Sequence, residues 1–504
     1  MEWNQGYIAD IEYIHGFYAE LAPEQLAMAA LMRGNRAPSL ADGFTYFEMG
    51  CGQGDSLNLL AAANPQGRFY GNDFNPSHVA GAQALASAAG LENVTILEKS
   101  FQELAAVELP QFDFICLHGI YAWISAENRK AIVDFIRTRL KAGGLVYVSY
   151  NCLPGWSATA PLRRLMTDYA HAGGGTLPQQ VDRALSFTAK LRDLKVGFFT
   201  PSPLLDARLA QLQSASRTYL AHEYFNTHWT PFYHADVVRD LSEAKLSFVA
   251  PANYLDHFEF LQLAEPALKV LAEIQEPVLR ETVKDFLTNA VFRKDIFTRG
   301  RMVLPLAEQR ATLAAKQFIL TTPRAEVLLK MRFPIGEVNL LPEVYDPVLD
   351  ELDKGPRTLA DLFAALTPGL PQERVQQALL VLLASGHVLL APAGFAEQRK
   401  EATDRFNAVV VERANQSDEL QFLASPISGS GIFVDLVDRL FLSALKKDQD
   451  LPTSAWEALR ARNQVMLKNG KQLATPEENL QELKERATQF TENRLARLQK
   501  LGIG

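Results

Sequence analysis

Phe44-Thr45-Tyr46-Phe47-Glu48-Met49-Gly50-Cys51-Gly52-Gln53-Gly54-Asp55-Ser56 reads as a strand, a glycine loop and the first turn of a helix. Apolar Phe44, Tyr46 and Phe47 suit a buried parallel strand, and Leu57 to Ala63 suits a helix packed on the sheet. The glycines let the backbone turn sharply and come close to a ligand. A dinucleotide fingerprint requires G-x-G-x-x-G, but Asp55 stands three residues after Gly52 and Leu57 three after Gly54. Asp55 at the helix start would also repel a pyrophosphate that the helix dipole otherwise attracts. The loop therefore suits a nucleoside without phosphates.

The next segments point to S-adenosylmethionine as that nucleoside. Gly67 to Asp73 reads as a second strand ending in an acid, about 20 residues beyond the loop, where a carboxylate can accept both ribose hydroxyls. Val94 to Leu97 reads as a third strand, followed by Ser100 and Phe101, a polar edge and an aromatic face for an adenine. Phe112 to Leu117 and Leu145 to Tyr150 read as strands four and five. Helical patterns alternate with the strands, so the fold expected is α/β: a Rossmann-like class I methyltransferase sheet with its site at the strand carboxyl ends. The cofactor residues expected are Glu48, Gly50, Gly52, Gly54, Asp73, Phe74, Ser100, Phe101 and His118. Tyr13 and Tyr18 join them from an aromatic N-terminal segment suited to cover the methionine end.

The glycine motif, His118-Gly119-Ile120-Tyr121-Ala122-Trp123, and Ser149-Tyr150-Asn151-Cys152-Leu153-Pro154-Gly155-Trp156 resemble bacterial methyltransferases that carry a methyltransferase regulatory domain. Ile14-His15-Gly16-Phe17, Tyr219-Leu220-Ala221-His222-Glu223 and Thr475-Pro476-Glu477-Glu478-Asn479-Leu480 extend the likeness over almost the whole chain. The resemblance is to rickettsial protein lysine methyltransferases that modify outer-membrane proteins. It implies S-adenosylmethionine chemistry and is less specific for substrate.

At 504 residues the chain is too long for one ordinary core, and its 48% hydrophobic content can fill several. A net charge of −8 argues against broad nucleic-acid or anionic-membrane binding, which need a basic face. Cys51, Cys116 and Cys152 are too few and scattered for a disulfide framework or zinc site. No signal-like region opens the chain and no apolar run approaches bilayer length, so a cytoplasmic protein is expected, with no membrane insertion.

The domains expected are a cofactor-binding unit over 1–172, a helical insertion over 173–234, and completion of the sheet over 235–260. A regulatory or middle domain over 261–395 follows, and a helical domain over 396–504. Within the middle domain a Thr358-capped helix, a helix from Gln372 to Ser385 and a wing at Gly386 to Leu390 suggest a winged-helix-like module. Its second helix lacks a basic stripe, which favours protein contact over DNA. Ser425 to Gly431 reads as a loop. The partner expected is a protein substrate, with a homodimer left open.

Methyl transfer is an in-line displacement by a neutral nucleophile with water excluded, and needs no metal. Tyr121, Asn151, His222 and Glu223 are the candidate catalytic residues, His222 and Glu223 as bases. Trp123, Tyr150 and Trp156 are the candidate substrate contacts; packing anchors under the insertion are the alternative for the two Trp. A metal held by His222, His228 and His234 is a further alternative, but their spacing fits no common ligand pattern. Three functions compete: lysine N-methylation of a protein, methylation of a sugar, lipid or secondary-metabolite hydroxyl, and a non-catalytic scaffold. Intact Glu48, glycine loop and Asp73 oppose the third.

Overall fold

The computed structural model describes residues 15–200, 202–215 and 217–504. Helix α1 (Pro23–Met32) leads into five parallel strands, β1 (Phe44–Met49), β2 (Gly67–Asp73), β3 (Val94–Glu98), β4 (Phe112–Leu117) and β5 (Leu140–Asn151). Helices α2 (Asp55–Ala63), α3 (Pro76–Ala88) and α4 (Ala126–Arg139) form the crossovers. Strand β1 is buried along its whole length because other strands flank it and both faces are covered. Its register sets Glu48 beside Gly71 and Met49 beside Asn72, so the carboxyl ends of β1 and β2 finish together.

After β5 come α5 (Ala160–His171), α6 (Leu177–Asp193), α7 (Pro203–Ser214) and α8 (Arg217–Tyr224). They share an apolar cluster of their own with Trp156, Leu162, Met166, Val181, Leu209 and Tyr224. The expected boundary at 172 therefore falls inside the insertion: the apolar face of α5 is spent on α6 rather than on the sheet.

Helix α9 (His234–Ser242) leads to β6 (Leu246–Pro251), and α10 (Glu265–Ala272) and α11 (Pro277–Thr288) lead to β7 (Phe292–Arg299). The sheet order is β3-β2-β1-β4-β5-β7-β6, with β7 antiparallel to both neighbours. The sheet thus closes at residue 299, not within 235–260. Strand β7 is hard to see in sequence because Arg293, Lys294 and Asp295 interrupt its apolar pattern. Arg293 is buried yet paired with Glu281 at 3.0 Å, Asp285 at 2.6 Å and Asp295 at 2.9 Å. That makes a charged core strand tolerable.

Beyond the sheet lie α12 (Leu306–Ala314), β8 (Gln317–Leu320), the hairpin β9 (Lys330–Phe333) and β10 (Gly336–Asn339), and α13 (Pro342–Asp353). Then follow β11 (Arg357–Thr358), α14 (Leu359–Leu366), α15 (Gln372–Ala384) and β12 (Val388–Leu390). Thr358 caps α14 as expected, in a reciprocal capping box with Asp361. Strand β12 forms no hairpin of its own; it pairs with β8 in the sheet β11-β8-β12.

Helix α16 (Ala396–Arg413) opens the last unit, followed by β13 (Phe422–Ser425) and β14 (Ser430–Phe433). These two strands pair, so the expected loop at 425–431 is the turn of a β-hairpin, and the hairpin packs on α2. Among the described residues no helix is long and apolar enough to cross a membrane.

Candidate active site

The carboxyl ends of β1, β2 and β4 open into a cleft. The glycine loop forms its floor with positive φ at Gly50 and Gly52. A Cβ on Gly50 would lie 2.5 Å from Ile120, whereas one on Gly52 would meet no protein atom within 4 Å. The backbone at Gly52 therefore faces open space. Its N–H donates to Asp73 Oδ2 at 3.0 Å, and the N–H of Asn75 donates to Oδ1 at 2.9 Å, which fixes the acid at the end of β2. Gly54 does something else. A Cβ there would strike Ala82 at 2.6 Å, so this glycine permits close packing of α2 on α3 and does not line the cleft, contrary to its expected cofactor role.

Glu48 is buried in the wall, and its Oε2 has no partner among the described residues. Burial, and then the charge of Asp55, push its carboxyl up to about 8. Phe74, Ser100 and Phe101 line the same cleft. Ser100 donates its hydroxyl to Glu103 at 2.8 Å. The sequence also gave no hint of Asn72, His78, Lys99 and Asn128 as lining residues. His78 reaches it from α3, with Nδ1 3.3 Å from Asp73.

Asp55 has a role beyond discouraging phosphate. It accepts from His15 Nδ1 at 2.9 Å and from the N–H of Gly16 at 2.8 Å, which ties the N-terminal segment across the cleft with Gly16 and Tyr18 in its wall. Phe17, on the outer side, packs against Phe422 of the C-terminal hairpin with ring centroids 5.2 Å apart. Tyr13 lies outside the described residues.

A second cleft shares Tyr18, His118, Gly119 and Trp123 with the first. Tyr18 stacks on His118 at 3.7 Å, and His118 Nδ1 lies 2.8 Å from the Tyr147 hydroxyl. Burial, assisted by Lys294, holds the His118 pKa down to about 3, so the ring is neutral. Asn151, Trp156, Arg208, Glu223 and Phe292 line the far part. Asn151 is buried, with Oδ1 unpartnered among the described residues. Burial lifts the Glu223 carboxyl to about 7, against the opposing charges of Arg208 and Arg163. Trp156 donates Nε1 to the Val291 carbonyl at 3.0 Å and packs edge-on against Trp229 at 4.9 Å. It is thus a packing anchor and a cleft wall at once, and so is Trp123.

Three expected residues are not brought to either cleft. Tyr121 is wholly buried and its hydroxyl donates to Asp240 at 3.3 Å. In the turn closed by Trp123 N–H to Ile120 O, Ile120 and Trp123 face the clefts while Tyr121 turns back into the core. Tyr150 donates to Asp295 at 2.6 Å, because alternation along β5 sends Tyr150 to the face opposite Asn151. His222 is buried within the insertion, since neighbouring helix positions diverge by about 100° and Glu223 takes the cleft side. Among the described residues no group of His, Cys, Asp and Glu could hold a metal, and His234 is committed to Asp295 at 3.0 Å.

Residues 40–187 match a methyltransferase domain, and residues 216–299 match a predicted methyltransferase regulatory domain. An uncharacterized protein of Synechocystis sp. is 42% identical over 505 residues, 100% of both chains. The chain belongs to the class I methyltransferases that carry this regulatory domain. An uncharacterized Rickettsia prowazekii protein is 24% identical over 277 residues, 55% of this chain and 49% of its own length. The fold is also that of PKMT2 from Rickettsia typhi, solved in complex with AdoHcy: TM-score 0.71 and 19% identity over 97% of this chain and 99% of that one. The methyltransferase is dependent on S-adenosylmethionine, and the first cleft fits it by the orphaned Glu48 oxygen and the open space before Gly52. The matched regulatory segment lies earlier than the 261–395 expected. It runs from α8 to β7, and so builds one wall of the second cleft and the last two strands of the sheet.

Proposed function

We propose that this methyltransferase acts on the amine of lysine side chains in a partner protein. One observation carries the proposal: two residues with hydrogen-bond acceptors, Glu223 and Asn151, line the second cleft among aromatic walls. Glu48, the Gly50–Gly52 loop, Asp73, Ser100 and Phe101 would hold the cofactor. S-adenosylmethionine, when bound, supplies an electrophilic methyl group on a sulfonium.

Glu223, half ionised near neutral pH, attracts the lysine ammonium and takes its proton. Asn151 Oδ1 accepts one of the remaining N–H groups and orients the lone pair. Trp123, Trp156 and Phe292 flank the alkyl chain and favour a cation in transit. Neutral His118 adds no positive charge beside the incoming one. A hydroxyl acceptor has a single proton and would leave one of the two acceptors unpaired at a cost of about 1–3 kcal/mol.

The test is incubation with labelled S-adenosylmethionine and with protein and small-molecule fractions, followed by mass spectrometry of the products. Label on lysine Nζ is expected. Label confined to small-molecule hydroxyls would overturn the proposal.

A further inference from the structure

Helix α7 supplies a wall of the acceptor cleft that methylation of a bare lysine would leave unused. Leu204, Ala207, Arg208 and Gln211 line it, the spacing of one helical face. Arg208 is the charged member. Its guanidinium lies 4.5 Å from the Trp156 ring and 5.5 Å from the Tyr224 ring, so stacking fixes its plane. Nη1 donates to Gln211 at 2.8 Å, and Nε is buried without a partner among the described residues. Glu223 acts on this group through its charge, but no ion pair joins the two among the described residues.

A guanidinium carries five N–H donors in a planar fork matched to a carboxylate. Here Nε is buried and one Nη1 hydrogen goes to Gln211, which leaves the remaining Nη1 and Nη2 hydrogens for a ligand, in a cleft also lined by Val291 and Phe292, both apolar and exposed. We propose that Arg208 recognises a carboxylate of the substrate, so that the lysines methylated are those with Asp or Glu within three residues. Glu223 and Asn151 face the amine, Arg208 the acid, and a peptide carrying both satisfies all three groups. A neutral peptide would leave a cation with idle donors between aromatic walls. The inference rests on the lysine reading above.

The test uses a peptide library with a central lysine and three randomised positions on each side, incubated with the full-length enzyme and labelled S-adenosylmethionine. Methylated products are sequenced by mass spectrometry. Enrichment of Asp and Glu is expected with the parent enzyme, and Arg208→Glu should move the preference to Lys and Arg. For a matched pair of peptides, the acidic one should exceed its alanine counterpart in kcat/KM by roughly tenfold, mainly through KM. Arg208→Lys should retain part of this, because it keeps the charge and loses the fork. Cofactor titration should be unchanged in each variant, since position 208 does not line the cofactor cleft. The same flanking preference in parent and Arg208→Glu overturns the inference and leaves lysine methylation standing. Failure of the parent to methylate any lysine peptide overturns the lysine reading, and this inference with it.

Discussion

The rings of Tyr18 and His118 lie face to face, 3.7 Å apart, and both residues line both clefts. This pair stands where the two clefts meet. Tyr18 comes from the N-terminal segment tied down by Asp55, and His118 from the end of β4, fixed by Tyr147. Because His118 titrates near 3, activity around neutral pH should carry no signature of this ring.

Glu48 should make cofactor binding pH-dependent. A cationic group of the cofactor beside it favours the ionised carboxyl, so affinity should rise as pH climbs towards about 8 and level off above. In the protein alone the sign is opposite for stability: the acid's raised pKa contributes stability below about 4.5 that is lost as pH rises through about 8. Calorimetry in buffers of different ionisation enthalpy should detect proton release on binding at pH 7, and Glu48→Gln should abolish it.

Asp73→Ala should weaken S-adenosylmethionine binding by roughly 1.5–3 kcal/mol, through loss of charge-assisted hydrogen bonds. The acid also holds the Gly52 and Asn75 N–H groups, so the loop should loosen too. Titration of a folded Asp73→Ala protein showing parental affinity would contradict the assignment.

The glycines should separate by mechanism. Gly52→Val places a branched side chain in open space, so the fold should survive with strain while cofactor no longer raises the melting temperature. Gly54→Val drives a side chain into Ala82 and should lower the melting temperature itself. Thermal melts with and without cofactor distinguish the two.

Glu223 should give the rate an ascending limb near pH 7, because the ionised carboxylate is the form that accepts the proton. Glu223→Gln should remove that limb and lower kcat by about 10²-fold. Peptide methylation measured across pH checks both, and an unchanged limb would assign the base elsewhere.

Gly431→Val should weaken cofactor binding although residue 431 lines no part of the cofactor cleft. Its new side chain would begin 2.8 Å from the Phe17 ring and 3.0 Å from Leu59, which displaces the segment that carries Gly16 and Tyr18. Unchanged affinity in a stable variant would show that the hairpin does not support this segment.

The cofactor half of the site was legible because it is written locally. Glu48, Gly50 and Gly52 lie at the end of a recognisable strand, and Asp73, Phe74, Ser100 and Phe101 lie at or just beyond the ends of the next two. Gly54 was misassigned because a glycine needed for helix packing looks in sequence like one needed for a ligand. The acceptor half was legible in part. Asn151, Trp123, Trp156 and Glu223 line the second cleft, whereas Tyr121, Tyr150 and His222 do not, because adjacent side chains leave the backbone in different directions.

The sequence by itself determined the parallel sheet, its order of appearance and the nucleoside loop, since each depends on short-range periodicity and on backbone angles that glycine alone adopts freely. Only the tertiary structure decided where β7 goes, that its buried Arg293 is paired, and that Arg208 of α7 and Glu223 of α8 line one aromatic cleft. It also decided that a hairpin near residue 430 braces the N-terminal segment over the cofactor site. These contacts join residues far apart in the chain, and their energy comes from burial and pairing that exist only once the layers have packed.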